Sequence, residues 1–126
     1  MREFLRSAIR AARVTACRPD GDDAVVVDRD LLAAADLLPL ERITVTDAGR
    51  GVSFEAVCAA GPPGDGAVVC SGDAARRAAV GDVVTIAAYA RLEREDLPHH
   101  VARVVELDEH NRVRAVVART PFDVAG

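Results

Sequence analysis

Two adjacent carboxylates, Asp22 and Asp23, are the residues of this sequence whose types and spacing best suit chemistry. When one carboxyl of such a pair is desolvated, its pKa rises, so the two can act as general acid and general base near neutral pH. The alternative is structural, because Pro19-Asp20-Gly21-Asp22-Asp23 has the composition of a hydrated turn. The sequence favours the turn and leaves the catalytic interpretation open.

Other reactive side chains are few. The three cysteines, Cys17, Cys58 and Cys70, have no histidine at a local spacing, which favours a core role over nucleophilic catalysis. His99 and His100 have no cysteine or carboxylate partners in register, so no metal site is predicted. Arginine supplies all 16 positive side chains, and the lack of lysine excludes a catalytic Schiff-base lysine.

The composition sets the class of protein. A chain of 126 residues that is 50% hydrophobic fits one domain, which we place at residues 1–120, with a flexible tail at 121–126. A net charge of −4 and 3% aromatic residues argue against a nucleic-acid partner. No signal peptide or membrane span is apparent, so the sequence predicts a cytoplasmic protein with no membrane partner.

Apolar alternation between turn residues predicts many short strands. Segments 9–16 and 24–27 predict two strands around the acidic turn, and 41–47 with 52–59 predict a hairpin. Further strands are predicted at 67–70, 83–90, 101–107 and 113–117. Such a set of strands with a few small helices is typical of a closed β-barrel.

Three short helices are predicted between these strands. Carboxylates at 28–30 can cap a helix over 31–38, which Pro39 would end. Residues 71–77 predict one or two helical turns, and 92–96 predict a solvated helix that ends at Pro98.

Several strings resemble the pyruvoyl-dependent aspartate 1-decarboxylase family, whose members make β-alanine for pantothenate. The similarity runs from about Phe4 to Val117 and needs no gap between Thr15 and Phe54. The strings are Arg13-Val14-Thr15, Asp28 with Asp30 to Leu38, Ser53-Phe54-Glu55, Ser71 to Arg76, Val80 to Val84 and Val105 to Val113. The resemblance implies a mainly β fold, a six-stranded double-psi β-barrel with small helices. It also implies a homotetramer with sites between subunits.

The family's cofactor depends on a serine that this chain lacks. In the family, a serine hydroxyl attacks the preceding glycine carbonyl, and elimination from the resulting ester leaves a pyruvoyl group. The resemblance aligns the cleaved bond with Asp23-Ala24, and alanine has no attacking atom. We therefore expect no self-cleavage, no pyruvoyl group and no other cofactor.

Other family positions have changed as well. The family's lysine aligns with Ala8, its catalytic tyrosine with Val57 and its carboxylate-binding arginine with Ser53. The asparagine before the family's Gly-Ala-Ala turn aligns with Ser71, and the tyrosine upstream of the cleaved bond aligns with Gly21. The loss of these groups together indicates a site rebuilt for another purpose.

The resemblance also implies which residues line the rebuilt pocket. In that pocket, Asp22 and Asp23 are the catalytic candidates, and a small-molecule ligand is the expected partner. The binding candidates are Arg10, Ser53, Ser71, Asp73 and Thr85, beside the degenerate positions Ala8, Ala24 and Val57. Structural alternatives are a surface or interface salt bridge for Arg10, strand-end packing for the serines and helix capping for Asp73.

Three functions remain possible from the sequence. The favoured one is a recruited, cofactor-free enzyme that performs proton transfer, dehydration or cyclisation on a small molecule. Its link to specialised metabolism rests on analogy with high-GC bacterial genomes, which the Ala, Arg, Val and Asp bias resembles. The alternatives are an inactive binding or regulatory homologue, whose pocket would be filled by side chains, and an authentic aspartate 1-decarboxylase.

Overall fold

The structure is a computed structural model that describes residues 1–125. It contains nine strands: β1 (Arg2–Arg13), β2 (Ala16–Arg18), β3 (Ala24–Asp28), β4 (Arg42–Asp47), β5 (Val52–Gly61), β6 (Val68–Ser71), β7 (Val83–Leu92), β8 (Ala102–Leu107) and β9 (Val113–Arg119). One α-helix, α1 (Arg29–Ala35), and two 3₁₀ helices, Gly72–Arg76 and Arg94–His99, complete the described elements. The mainly β class with small helices is confirmed, with nine strands where six were expected.

The strands form one sheet in the order β2-β6-β3-β5-β4-β7-β1-β8-β9. Only Val14 and Thr15 separate β1 from β2, although these strands lie seventh and first in that order. Two residues span at most about 7 Å, so the sheet must curl until these distant strands meet. The Val14 N–H donates to the Asp82 carbonyl beside β7, and the Thr15 N–H donates to Val68 on β6. The sheet is therefore rolled in the manner of a barrel.

Aliphatic side chains fill the interior of the roll. Ile9, Val27, Val45, Ile86 and Val105 are each fully buried. Strand β4 shows why, because successive side chains point to opposite faces and every second residue from Ile43 to Asp47 faces the core. That alternation carries one carboxyl, Asp47, into the interior.

Helix α1 begins where the capping pattern predicted and ends earlier. The Asp28 carboxylate accepts the N–H of Asp30 at 2.7 Å, as an N-cap does. Asp36 adopts the left-handed conformation with φ of 56°, so the helix stops well before Pro39. The predicted end at Leu38 was wrong because the C-cap, and not the proline, terminates the helix.

Two other boundaries differ from the prediction. Strand β1 starts at Arg2, well before residue 9, because it pairs with β7 along most of its length. Pro98 lies inside the second 3₁₀ helix and does not end it, since its fixed φ suits a helical turn.

The C-terminal segment that follows β9 contains a hydrogen-bonded turn. In the predicted tail, the Asp123 carboxylate accepts the N–H and hydroxyl of Thr120, and residue 126 lies outside the described residues. Within residues 1–125, the helices are all too short and too polar to cross a bilayer.

Candidate functional site

The acidic turn is joined to the first 3₁₀ helix by one hydrogen bond. Asp23 Oδ1 accepts the backbone N–H of Asp73 at 2.8 Å. Gly72 makes this approach possible, because its φ is +64° and a Cβ there would collide with the Asp23 carboxylate. Asp22 and Asp23 are both exposed, and the Asp22 carboxylate makes no hydrogen bond within residues 1–125. The two carboxylates therefore have different surroundings, and only that of Asp23 is held in one orientation.

A pocket of about 310 Å³ opens beside residue 24. Four of the predicted residues line it, namely Asp23, Ala24, Val57 and Asp73. We call it the acidic pocket, and its full lining is Asp23, Ala24, Arg42, Glu55, Ala56, Val57, Asp73 and Ala74.

Arg42 and Glu55 are lining residues that the sequence did not reveal. Arg42 is the ladder partner of Val57 in the β4–β5 pair, and its guanidinium lies 3.6 Å from the Glu55 carboxylate. Both side chains are largely exposed, so this ion pair is open to exchange with a ligand. The register of the predicted hairpin could have identified Arg42, because it pairs Arg42 with Val57, which the resemblance had already placed in the pocket.

Asp73 lies at the rim of the acidic pocket and pairs with an arginine. Its Oδ2 is 3.0 Å from Arg77 Nε, one helical turn along the chain. The same guanidinium lies over the Phe54 ring at 5.9 Å from the centroid. The Asp73 carboxylate thus forms a surface ion pair with Arg77, while its backbone N–H donates to the Asp23 carboxylate.

A second pocket, of about 410 Å³, contains other predicted residues. Arg10 and Thr85 line it, and Ser53 borders it through a 3.2 Å hydrogen bond between its Oγ and Thr46 Oγ1. We call this the arginine pocket, and its full lining is Arg10, Ala11, Thr46, Ala48, Val83, Val84, Thr85, Glu106, Leu107 and Arg114.

Arg10 is paired with Glu106 in the arginine pocket. The two are ladder partners of the parallel β1–β8 pair, and Arg10 Nη1 lies 3.8 Å from Glu106 Oε1. Within one chain, Arg10 and Asp23 line different pockets. A single protomer therefore does not bring the predicted arginine and carboxylates together.

Two predicted positions are buried outside both pockets. Ser71 is the ladder partner of Ala24, and its hydroxyl lies against the α-carbon of Gly21. Ala8 packs in a small apolar cluster with Ala87 and Val104. These surroundings fit the packing interpretation of Ser71, and they place Ala8 in the apolar interior.

The thiols belong to the interior. Cys58 and Cys70 are buried as predicted, and Cys17 is half-buried with its Sγ donating to the Ala78 carbonyl. Burial raises the pKa of Cys58, and burial raises that of Cys70 to about 12. Both thiols are therefore protonated and poor nucleophiles at neutral pH. Residues 1–125 contain no cluster of three or more His, Cys, Asp or Glu side chains suited to a metal ion.

Comparison with known proteins gives one consistent result. The family model described as aspartate decarboxylase matches residues 1–114. An aspartate 1-decarboxylase of Laribacter hongkongensis is 36% identical over 124 residues, which is 98% of each chain. One of Syntrophobacter fumaroxidans is 39% identical over 88% of this chain and 90% of its own. One of Staphylococcus aureus is 35% identical over 88% and 87%, respectively.

Proposed function

The chain belongs to the aspartate decarboxylase family, and from that premise we propose that it forms no pyruvoyl group and acts instead on a small molecule in the acidic pocket. The observation that carries the proposal is Ala24. It stands where the resemblance puts the serine of the cleaved bond, and it lines the pocket with Asp23 and Val57. The reaction class is cofactor-free proton transfer, dehydration or cyclisation.

The hydroxyl of Ser71, on the neighbouring strand, cannot replace the family's serine hydroxyl that Ala24 lacks. Ser71 lies across the ladder from Ala24 and is the nearest serine to it along the paired strands. If Ser71 attacked the Asp23 carbonyl, elimination would remove the oxygen from Ser71, whose nitrogen would still be held in its amide bond to Cys70. No ketone would form at residue 24 or at residue 71. The residues present therefore do not fit a pyruvoyl group.

Asp23 is the better of the two catalytic candidates. Both carboxylates are exposed, but Asp23 Oδ1 is held by the Asp73 N–H, so its Oδ2 has a defined position at the pocket wall, whereas Asp22 lies outside this lining. An oriented carboxylate oxygen is what a general base requires. Arg42, on β4, lines the same pocket, and its guanidinium can bind an acidic group of the ligand.

The volume of the pocket favours a ligand over an inactive homologue. Side chains would fill the pocket of an inactive protein, whereas Ala24, Ala56 and Ala74 leave about 310 Å³ here. A small metabolite fits such a volume at the lower end of the usual range for ligand sites.

An authentic aspartate 1-decarboxylase is the second candidate. The names of the relatives favour it, since each of the three described above is called aspartate 1-decarboxylase. It requires a self-cleavage site other than Asp23-Ala24. The two candidates therefore predict different covalent states of the purified protein.

The proposal includes assembly into a homotetramer. Exposed valines on strands β5, β7 and β9, which are Val52, Val83, Val113 and Val116, are candidates for burial between copies. A tetramer offers a way to set the arginine pocket of one subunit against the acidic pocket of another. Three free thiols support a reducing, cytoplasmic location as part of the same proposal.

Intact-mass spectrometry separates the two candidates. We expect one chain near 13.3 kDa and no β-alanine from L-aspartate. Two fragments from self-cleavage near residue 23 or at any other internal bond, or β-alanine formation, would overturn the proposal and support the decarboxylase. Light scattering of the same sample checks the tetramer.

Ligand binding is tested by melting shifts with small metabolites made by products of neighbouring genes. With a ligand identified, Asp23→Asn is expected to lower turnover by about 10²- to 10⁴-fold while leaving the melting temperature near that of the wild type. Asp22→Asn is the matched control and should retain turnover. Equal loss in both variants would refute the assignment of the base to Asp23.

A further inference from the structure

Asp47 is a buried carboxyl that the proposed function does not use. It occupies the last core-facing position of β4, and its side chain is only 2% exposed. Its Oδ1 accepts the backbone N–H of Arg50 at 3.2 Å. Its Oδ2 has no hydrogen-bond partner within residues 1–125. A buried carboxylate oxygen without a donor is costly and calls for an explanation.

The groups around Asp47 do not neutralise it as a carboxylate. Asp82 precedes β7, and its Oδ2 accepts from Arg50 Nε at 2.5 Å and from the Ala79 N–H at 3.0 Å. The same Nε lies 3.7 Å from Asp47 Oδ2, which is too long for a hydrogen bond. The Arg50 guanidinium therefore donates a hydrogen bond to Asp82 and none to the adjacent carboxyl of Asp47.

The remaining neighbours supply no positive charge. On β2 and β6, Cys17 and Cys70 are ladder partners that carry thiols, and Cys70 stays protonated because burial raises its pKa to about 12. Strand β5 opposes Asp47 with Val52, and β7 begins with the apolar residues Val83 and Val84. A proton is the simplest counter-charge that this site can acquire.

We propose that Asp47 is a neutral carboxylic acid whose Oδ2–H donates to the Asp82 carboxylate. The shared proton satisfies the otherwise unpartnered oxygen and removes the repulsion between two adjacent carboxylates. The hydrogen bond to Asp82, and then burial, raise the pKa of Asp47. The same hydrogen bond, with the Ala79 N–H and Arg50, lowers the pKa of Asp82 to about 2.

The pair joins two segments that form one wall of the arginine pocket. Asp47 lies between the pocket residues Thr46 and Ala48, and Asp82 directly precedes Val83. The proton therefore fastens the β4–β5 turn to the start of β7. When Asp47 ionises, two adjacent carboxylates face each other and this wall loosens. The inference concerns a different pocket from the proposed reaction and holds whether or not that reaction is correct.

The sign of the pH dependence follows from the raised pKa. The contribution of Asp47 to stability is fully present below its ordinary pKa of 3.8 and is lost as pH rises through its raised value in the folded state. Within that window the unfolding equilibrium constant increases up to about tenfold per pH unit. Asp82 acts in the opposite direction, since its contribution is lost as pH falls toward about 2.

The decisive experiment is a titration of carbon-13-labelled aspartate carboxyls by NMR on the full chain. We expect one aspartate resonance to remain of the protonated type at pH values where the exposed aspartates have ionised, and to be missing in Asp47→Asn. In Asp82→Asn, which offers an amide donor to Asp47, the Asp47 resonance should shift to the ionised type. An exposed control, Glu95→Gln, should leave the titration unchanged. A wild-type spectrum in which no aspartate carboxyl titrates above the ordinary pKa of 3.8 would overturn the proposal.

Stability measurements give an independent check that does not need assignments. The amide introduced by Asp47→Asn can donate to Asp82 at every pH. In the wild type, the unfolding equilibrium constant should increase by up to about tenfold per pH unit above about pH 4. In Asp47→Asn this increase should be absent. The same slope in both proteins would refute the shared proton even if the variant is less stable overall.

Discussion

The link between Asp23 and Asp73 can be tested by replacing Asp23 with alanine. In the folded protein the Asp23 carboxylate accepts the N–H of Asp73 at the start of a 3₁₀ helix. Ser71, at the N-cap position of that helix, makes no capping hydrogen bond with its own side chain. The cap is thus supplied from a distant part of the chain, and its removal leaves one helix N–H without its acceptor.

The size of the effect follows from this geometry. The hydrogen bond is 2.8 Å long and lies at an exposed site, where water can partly replace the carboxylate. Loss of a capping acceptor costs about 1 kcal/mol. For a domain of 126 residues that corresponds to a melting temperature lower by about 4 °C.

Two matched variants show whether the cap is the cause. Asp23→Asn keeps an acceptor oxygen and should stay within about 0.5 kcal/mol of the wild type, and so should Asp22→Ala. Thermal and urea unfolding of the wild type and the three variants provide the assay. The reasoning is refuted if Asp23→Ala is as stable as Asp22→Ala, or if Asp23→Asn is destabilised as much as Asp23→Ala.

Two further predictions concern the buried polar groups. Asp28→Ala should lower the free energy of unfolding by about 3 kcal/mol, because the Asp28 carboxylate accepts hydrogen bonds from three backbone N–H groups. Urea titration measures this loss, and a loss below about 1 kcal/mol would contradict the prediction. Burial opposes ionisation of Asp28, but the backbone hydrogen bonds prevail and lower its pKa, so this contribution is present above pH 3.8 and is lost as pH falls below that value. Cys58 and Cys70 should resist alkylation in the folded protein and react after unfolding, as mass spectrometry of labelled peptides can show; rapid labelling of the native protein would contradict their burial.

Local patterns predicted the strands well where both partners lie close in the chain. The hairpin expected at 41–47 and 52–59 corresponds to β4 and β5, because alternation and a Gly-rich turn are short-range signals. The helix end was missed, since the left-handed turn at Asp36 does not depend on the proline that the pattern emphasised. The start of β1 was missed because its pairing partner, β7, lies far along the chain.

The candidate site was predicted in parts and not as an arrangement. Asp23, Ala24, Val57 and Asp73 do line one pocket, which the family resemblance anticipated. Whether Arg10 meets the carboxylates of a second subunit stays a prediction, but within one chain it pairs with Glu106 in another pocket. The reason is the parallel β1–β8 ladder, which no local periodicity encodes.

The sequence by itself determined what chemistry is impossible here. Alanine at position 24 has no nucleophilic atom in any fold, and a chain without lysine forms no Schiff base through that residue. Tertiary structure alone decided which side chains meet. It placed the Asp23 carboxylate on the Asp73 N–H and buried Asp47 beside Asp82, because strand order joins distant segments. The hydrogen bond to Asp82, and then burial, raise the pKa of Asp47, which no local pattern in the sequence specifies.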